Sequence, residues 1–280
     1  MKSEHSIASL CAGLEVSTSG YHAWLKRASC PGPRARANGL LVEEIKTIHA
    51  SSRQTYGSPR VVAELRVRGC RHGRNRVSRL MRQAGLRGRQ KGRYRVRTTD
   101  TNHDHPVAPN LLPAAPPPTA PNQIWVADIT YIQTREGWLY LAGVLDLYSR
   151  RLVGWAMSEW IDTQLALDAL QMALTHRQPP ASLLFHTDRG SQYAAADFRA
   201  ALKAASLTPS MSRKGSCYHN ASMESFWSTL KLELVFRRDF PNHHSARAQI
   251  FDYIEVFYNR QRSHTSLNGL SPAAFESLNP

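Results

Sequence analysis

Acidic side chains at three points in the last two thirds of the chain have the types and positions to do chemistry. Asp128 interrupts the apolar run IWVADITYIQ, and a carboxylate inside a buried strand is costly unless it is paired, hydrogen-bonded or bound to a metal ion. Asp188 ends the short apolar run SLLFHTD. Glu224 lies in a helical segment, and Lys231 follows seven residues later on the same side of that helix. Strands and a helix must bring these positions together.

The segments around these residues predict a mixed α/β arrangement. IWVADITYIQ is apolar on both strand faces, which is typical of a central strand, and the turn REG leads to two further apolar runs that predict an antiparallel meander. A helix capped by Asp162, a short strand at 182–188, a second helix, the strand LTPSMS and a third helix follow. This order is the ribonuclease-H-like pattern. Asp188 falls at the carboxyl end of a strand, where sites in open α/β sheets lie.

Three short segments of the sequence resemble the motifs of a known protein family. They are WVADITYI, HTDRGSQY and HNASMESFWSTLKLE, with 35 residues between Asp188 and Glu224. Together they look like the DDE transposases of bacterial insertion sequences, which have a retroviral-integrase-like core, and most of all like the second-frame protein of the insertion-sequence-three family. The likeness extends to LDLYSRRLVGW, TYGSPRVVAELRVRG and FYNRQRSHTSLNGLSP, so it spans nearly the whole chain. Ala127 stands where relatives often carry a hydroxyl residue before the Asp.

The resemblance implies roles for the acidic residues. Asp128, Asp188 and Glu224 would be the catalytic residues and the metal ligands, and Lys231 would contact end DNA or a phosphate. Carboxylate oxygens suit Mg²⁺, with Mn²⁺ as a substitute, and two such ions about 4 Å apart can clamp an in-line phosphoryl displacement. The implied activity is that of a DNA transposase: water frees a 3′-hydroxyl at the element's end, and that hydroxyl attacks another phosphodiester.

The positive charge of the protein is concentrated in the first third of the chain. The 280 residues carry a formal charge of +15, and residues 1–100 hold 21 Lys and Arg against 6 Asp and Glu, whereas the remainder is balanced. Clustered cations attract phosphate and release its counterions, so this region is expected to bind nucleic acid. Apolar residues at helical spacing, beginning with Ile7, Leu10, Cys11 and Leu14, predict an all-α helix-turn-helix region.

Two groups of cations in that region are candidate DNA contacts. One helix, which the sequence predicts to be capped by Asn75 and ended by Gly85, carries an apolar stripe and presents Arg76, Arg79 and Arg82 on its other face. The preceding helix is predicted to be capped by Ser58 and ended by Gly69. After the second helix, LRGRQKGRYRVR places cations at every second residue, so an extended chain would present them on one side as a phosphate-tracking arm. These are Arg87, Arg89, Lys91, Arg93, Arg95 and Arg97.

These patterns predict four regions along the chain. Residues 1–97 form the basic helical DNA-binding region, 98–121 a linker with seven prolines, 122–240 the ribonuclease-H-like core, and 241–280 a C-terminal helical extension. The cluster at 103–105, two histidines around an aspartate, lies in the linker and is interpreted as solvated rather than metal-binding. The four cysteines form no C-x-x-C pair, and no secretory signal or apolar run of membrane-spanning length is present.

Several residues and functions have alternative interpretations. Asp146 is either a turn former or a further ligand, His186 either orients an active-site carboxylate or packs, and the role of His219 is open. Trp227 is expected in the core. The C-terminal cations and histidine are expected to pack rather than bind DNA; they are Arg260, Arg262 and His264. Besides a transposase, a DNA-binding regulator that has lost catalysis and a host nuclease on the same frame are the competing functions.

The resemblance also implies partners. Double-stranded DNA, as terminal inverted repeats and as target, is the expected substrate, and the protein is expected to form a homo-oligomer on it. The upstream frame of such elements supplies a further helix-turn-helix and a coiled coil through a fused product, so an upstream-frame protein or fusion is an expected partner. We expect a bacterial cytoplasmic protein associated with the nucleoid.

Overall fold

The computed structural model describes residues 5–30, 32–89, 106–212 and 221–279. The chain divides into two compact units, Met1–Gly88 and Arg89–Pro280. Lys91, Arg93, Arg95 and Arg97 of the predicted arm, the cluster at 103–105 and His219 lie outside the described residues. In the described part of the chain, no helix is both long and apolar enough to cross a membrane.

The first unit is all-α, as its periodicity predicts. Its last three helices share one apolar core, in which Ile45, Val61 and Val77 are fully buried, one on each helix. This arrangement buries the apolar stripe of each amphipathic helix and leaves the basic side chains on the outside. The helices are α1 Ile7–Gly13, α2 Thr18–Ser29, α3 Pro33–Ser51, α4 Ser58–Val67 and α5 Arg74–Gln83.

The predicted capping residues of α4 and α5 were wrong by one and two positions. Gly57 and Gly73 are the N-caps, with extended backbone and no side-chain cap hydrogen bond, so Ser58 and Asn75 lie inside the first turns. Glycine is a favourable N-cap residue because it readily adopts the extended N-cap conformation. The two helices therefore begin before the residues that were predicted to cap them. The predicted C-terminal signals are confirmed: Gly69 and Gly85 follow the helices with φ of +82° and +70°.

The second unit is built on a five-stranded sheet in the order β3-β2-β1-β4-β5. The first three strands form the predicted antiparallel meander, and β1, β4 and β5 run parallel. The turn between β1 and β2 uses Gly137 at φ +122°, where a side chain would be strained. The strands are β1 Ile124–Thr134, β2 Gly137–Asp146, β3 Leu152–Ser158, β4 Leu184–Thr187 and β5 Thr208–Met211.

Helices cover both faces of the sheet, so β1 is buried on two sides, as its continuous apolar run predicts. Trp125 and Ala127 pack with α6 and α8 on one face, whereas Val126 and Ile132 pack with α9 and α10 on the other. The ribonuclease-H-like order of strands and helices is confirmed. The helices are α6 Thr163–Arg177, α7 Ser191–Ala194, α8 Ala196–Ala204, α9 Ala221–Glu233, α10 His243–Phe251 and α11 Pro272–Leu278.

The described part of the predicted linker belongs to the second unit and contacts β5. The backbone N–H of Leu111 donates to Ser210 Oγ at 2.9 Å, and the N–H of Met211 donates to the carbonyl of Pro109 at 3.4 Å. Because β5 is an edge strand, this extended segment covers backbone groups that would otherwise face solvent. Residues 109–111 of the predicted linker are therefore held at the edge of the sheet.

Hydrogen bonds between buried charged side chains hold the C-terminal segment against the sheet and α9. Arg262 donates to both carboxylate oxygens of Glu233 at 2.8 and 2.9 Å, and Tyr253 donates to the same carboxylate at 2.8 Å. Glu276 of α11 accepts from Arg151 and Arg177. The expectation that Arg262 packs onto the core is confirmed, and this packing supports the helix that carries Glu224.

Candidate active site

Asp128 lies in the middle of β1 and points to the α9 side of the sheet. The carboxylate is half-buried and has two donors: its Oδ1 accepts from the backbone N–H of Ile129 at 2.9 Å, and its Oδ2 accepts from the indole N–H of Trp227 at 3.0 Å. A carboxylate that accepts only two hydrogen bonds keeps acceptor capacity for further ligands.

Asp188 follows β4 directly, next to Asp128. In the parallel pairing of β1 with β4, Val126 is opposite His186, so the positions two residues farther along each strand are neighbours at the carboxyl end of β4. The backbone N–H of Gly190 donates to Asp188 Oδ1 at 2.9 Å and fixes that carboxylate at the start of the loop. The fold thus brings the two aspartates together from positions 60 residues apart.

Glu224 is an exposed residue in the first turn of α9. It precedes Trp227 by three residues, so the two side chains share a helix face, and it is Trp227 that binds Asp128. The buried stripe of α9, which includes Met223 and Leu230, holds the helix on the sheet in this register. Within the described ranges, no set of three or more His, Cys, Asp or Glu side chains is arranged closely enough to hold a metal ion.

The three acidic residues nevertheless share one electrostatic environment. Burial and then the negative charge of Asp188 raise the pKa of Asp128 to about 8; Glu224 contributes in the same direction, against the two hydrogen bonds that lower the pKa. Burial and the charges of Asp128 and Asp188 also raise the pKa of Tyr193 well above its ordinary value. Negative charge therefore accumulates at this point, as a site for a cation requires.

Lys231 is the cation nearest to this cluster on α9. Its Nζ lies 4.3 Å from the centre of the Tyr131 ring, and the residue is half-buried. Burial lowers the pKa of Lys231, whereas the charge of Asp128 raises it. Lys231 is thus within electrostatic range of Asp128 and lies two helical turns from Glu224.

Asp146, the alternative candidate ligand, is held by hydrogen bonds within the fold. Asp146 is completely buried and accepts from the backbone N–H groups of Asn122, Tyr148 and Ser149 and from the indole of Trp125. Burial raises its pKa, and these hydrogen bonds oppose the shift. Asp146 is therefore the turn former of the two interpretations.

Two further sequence interpretations meet definite contacts. Asp162 caps α6 by accepting from the N–H of Leu165 at 2.9 Å, as predicted. The Nδ1 atom of His186 lies 2.9 Å from Ser210 Oγ in the core, so the packing interpretation of this histidine has a definite partner on β5.

Two contacts of the site were missed by the sequence interpretation. Trp227 was expected only in the core, yet its indole N–H holds Asp128; the signal was its position three residues after Glu224. Arg150, in the turn between β2 and β3, donates to the hydroxyl of Ser222 in the first turn of α9. A hydrophobic period does not reveal such polar contacts between distant segments.

The candidate DNA contacts of the first unit differ from one another. Arg76 is half-buried, and its guanidinium donates to Asn38 Oδ1 at 2.9 and 3.1 Å, which ties α5 to α3. Arg79 and Arg82 are exposed on α5. Arg87 and Arg89, the described part of the predicted arm, are also exposed.

Family comparisons match almost the whole chain. The family described as integrase core domain matches residues 118–217, a second integrase core domain family matches 205–272, and an HTH-like domain family matches 35–94. The chain is 49% identical over 266 residues to an uncharacterised 31 kDa protein of insertion element IS600 from Shigella sonnei, covering 95% of this chain and 97% of the relative. It is 42% identical over 278 residues to transposase InsF of insertion sequence IS3A from Escherichia coli, covering 99% and 96%.

Two solved structures similar to the chain are viral proteins. A simian T-cell lymphotropic virus intasome in complex with PP2A regulatory subunit B56 gamma is 16% identical, with a TM-score of 0.49, covering 83% of this chain and 74% of that chain. The HTLV-2 integrase catalytic core domain in complex with magnesium is 14% identical, with a TM-score of 0.42, covering 56% and 97%.

Proposed function

Because this chain belongs to the integrase-core transposases of bacterial insertion sequences, the insertion-sequence-three family, we propose that it cleaves the ends of its element to free 3′-hydroxyls and transfers them into target DNA. The observation that supports this most directly is the common electrostatic environment of Asp128, Asp188 and Glu224 on β1, after β4 and on α9. A regulator without catalysis has no need of a half-buried carboxylate whose charge is disfavoured by two other acids.

The residues fit a divalent metal centre in their chemistry. Asp128, Asp188 and Glu224 offer hard oxygen ligands, and the negative charge that raises the pKa of Asp128 is the charge that a cation would neutralise. We therefore assign these three side chains as the holders of Mg²⁺, as two ions, with Mn²⁺ as a substitute. When bound, the ions would polarise the attacking and leaving oxygens of an in-line phosphoryl displacement.

The other side chains of the site position these carboxylates and the DNA. Trp227 and the N–H of Ile129 fix the two oxygens of Asp128, and the N–H of Gly190 fixes Asp188. We propose that Lys231 contacts a phosphate beside the reacting one; its position two helical turns after Glu224 on α9 supports this.

Two reactions then use the same residues. In the first, water attacks a phosphodiester at the element's end and a 3′-hydroxyl leaves. In the second, that hydroxyl attacks a target phosphodiester, its proton is lost to solvent, and the displaced strand leaves with a hydroxyl of its own. Each step exchanges one P–O bond for another, so no covalent enzyme intermediate is required.

The basic residues of α5 and of the predicted arm after it supply the proposed DNA contacts. Arg79, Arg82, Arg87 and Arg89 are exposed cations, and Lys91, Arg93, Arg95 and Arg97 continue the alternation in sequence. Phosphate contacts of this kind give affinity without sequence information. We propose duplex DNA of the terminal inverted repeats and of the target as the ligand, a homo-oligomer or an upstream-frame partner on that DNA, and the nucleoid as the place of action.

Replacement of one carboxylate tests the proposal. The Asp188→Asn variant should lose both cleavage and joining of a plasmid that carries the element's two ends, by at least about a thousandfold, because it removes a metal ligand. Its DNA affinity should be largely retained because no phosphate contact is removed. Asp168→Asn is the matched control, since Asp168 is exposed on α6.

Three results would contradict the proposal in different ways. Full cleavage by Asp188→Asn would remove the catalytic assignment. Cleavage by the wild-type protein without any joining would favour a host nuclease. DNA binding with neither reaction in the presence of Mg²⁺ or Mn²⁺, with the upstream-frame protein supplied, would favour a regulator.

A further inference from the structure

A second feature of the α/β unit lies where β1 and β2 turn. A cavity of about 530 Å³ opens there, within the size range of ligand sites of roughly 300–1,000 Å³. We call it the aromatic groove, because its lining includes four aromatic residues and three cations: Tyr131, Trp138, Phe236, Phe240, Arg135, Lys231 and Arg238. None of these contacts is needed to hold the three carboxylates of the candidate active site.

Two rings of the aromatic groove are open to solvent. Trp138 is 47% exposed on β2, and Phe236 is 60% exposed in the 3₁₀ turn that follows α9. Tyr131 meets Trp138 edge to face, with ring centres 5.0 Å apart. Large aromatic side chains grouped in one exposed cavity mark a surface that binds something planar or apolar, because leaving them in water is unfavourable.

The charge of the groove specifies the sign of its ligand. Lys231 and Arg238 line it together with Arg135, and its one lining acid, Asp239, is ion-paired with Arg135. The lining is therefore net positive. Aromatic faces combined with cations are the elements with which proteins bind single-stranded nucleic acid, through base stacking and phosphate contacts.

The groove shares Lys231 with the surroundings of the candidate active site. Lys231, whose Nζ lies 4.3 Å from the Tyr131 ring centre, is part of both. Tyr131 follows Asp128 by three residues of β1, a distance of about 10 Å along a strand. That distance equals about three base-pair steps of B-form DNA, so a strand whose phosphate reacts at Asp128 can reach the groove within a few nucleotides.

We propose that the aromatic groove binds an unpaired base of the DNA substrate, stacked on Trp138 and Phe236, with its flanking phosphates held by Lys231 and Arg238. An intact duplex hides the faces of its bases, so the rings can be used only by a base that has left the stack. The proposal rests on the proposed function for the position of the reacting phosphate. Since every base has a π-face, the groove would accept any sequence.

Photochemical cross-linking tests the location directly. The full-length protein is mixed, with EDTA present to prevent cleavage, with a DNA duplex that ends in a single-stranded overhang of about three nucleotides carrying 5-iodouracil. We expect cross-linked peptides to contain Trp138 or Phe236, and we expect the cross-link to disappear when the same base is paired in a blunt duplex. Cross-links confined to residues 1–97 would overturn the proposal.

Affinity measurements with matched variants test the stacking. The wild-type protein should bind the overhang duplex about tenfold more tightly than the blunt duplex, and Phe236→Ala should lose that preference while its affinity for the blunt duplex stays unchanged. Trp138→Ala should behave in the same way, whereas Trp138→Phe keeps a ring and should retain most of the preference. Thermal unfolding of each variant establishes that it is folded.

The controls are exposed aromatic residues outside the groove. Trp160 and Phe251 are 73% and 51% exposed, and Trp160→Ala and Phe251→Ala should leave the preference intact. Equal preference in wild type and Phe236→Ala, or no preference in the wild type, would overturn the inference. Both measurements are made without catalysis, so a failure of the Asp188→Asn experiment and a failure of the groove would be distinguished.

Discussion

Two carboxylates on neighbouring strands of the same sheet have opposite surroundings. Asp146 ends β2, is completely buried, and is surrounded by donors: three backbone N–H groups, the Trp125 indole and, at 4.0 Å, the guanidinium of Arg177. Asp128, in the middle of β1, accepts hydrogen bonds from two donors, and the charges of two other acids, Asp188 and Glu224, raise its pKa. The hydrogen bonds of Asp146 and the charge of Arg177 oppose the rise in pKa that burial causes, whereas the charges of Asp188 and Glu224 add to the rise at Asp128.

This difference distinguishes the two carboxylates without any appeal to sequence similarity. A folded protein that is optimised only for stability would satisfy Asp128 as it satisfies Asp146, or replace it by an apolar residue. The chain instead keeps an acid whose charge destabilises the metal-free fold, and such local conflict is expected at functional sites. Three variants test how far the comparison holds.

The largest expected difference is in activity. Asp128→Asn should lower cleavage by at least about a thousandfold, equal to about 4 kcal/mol in transition-state free energy, because a neutral amide is a weaker metal ligand than a carboxylate. Asp146→Asn, assayed at a temperature at which it is folded, should retain cleavage within a fewfold of wild type. Equal losses in two folded variants would show that the two carboxylates do not differ in function.

The second expected difference is in the free energy of unfolding. Asp146→Ala should destabilise the protein by about 3 kcal/mol, because it leaves the N–H groups of Asn122, Tyr148 and Ser149 buried without their acceptor. Denaturant unfolding followed by circular dichroism measures this value. Asp128→Asn, measured without metal at neutral pH or above, should be at least as stable as wild type. A comparable loss in that variant would mean that Asp128 also has a mainly structural role.

The sequence predicted the positions of these residues better than their contacts. Continuous apolarity in IWVADITYIQ correctly indicated a strand buried on both faces, and the strand order follows from short turns and alternating elements. The bond between Trp227 and Asp128 joins residues 99 positions apart, and nothing in a hydrophobic period indicates it. The hydrophobic period also does not indicate the ion pair of Arg262 with Glu233. Nor does it indicate the π-helical stretch Asp252–Tyr258, whose apolar side chains pack in the core.

Capping was the weakest prediction, for a reason specific to this chain. Ser58 and Asn75 are residues that usually cap helices, but Gly57 and Gly73 precede them and adopt the extended N-cap conformation. When a glycine before such a residue adopts the N-cap conformation, the helix begins directly after the glycine. The residue that could have capped the helix then lies in its first turn. The contacts of Pro109 and Leu111 with β5 were not predicted, because the composition of a proline-rich segment indicates its extension and not its contacts.

The smallest expected difference is the pH dependence of stability in EDTA. The pKa of Asp128 is about 8 in the folded protein against an ordinary value of 3.8, so the folded state binds more protons than the unfolded state between these values. The stability of the wild type must then fall as pH rises from about 5 to 9. The gap between the two proteins, which is the free energy of unfolding of Asp128→Asn minus that of the wild type, should widen by about 2 kcal/mol over that range. Asp146 also has a raised pKa, but it is present in both proteins and cancels in the difference. Millimolar Mg²⁺ should close the gap at high pH, because a bound cation favours the charged carboxylate of the wild type. A gap that is independent of pH, or unchanged by Mg²⁺, would show that the charge of Asp128 is already compensated within the protein.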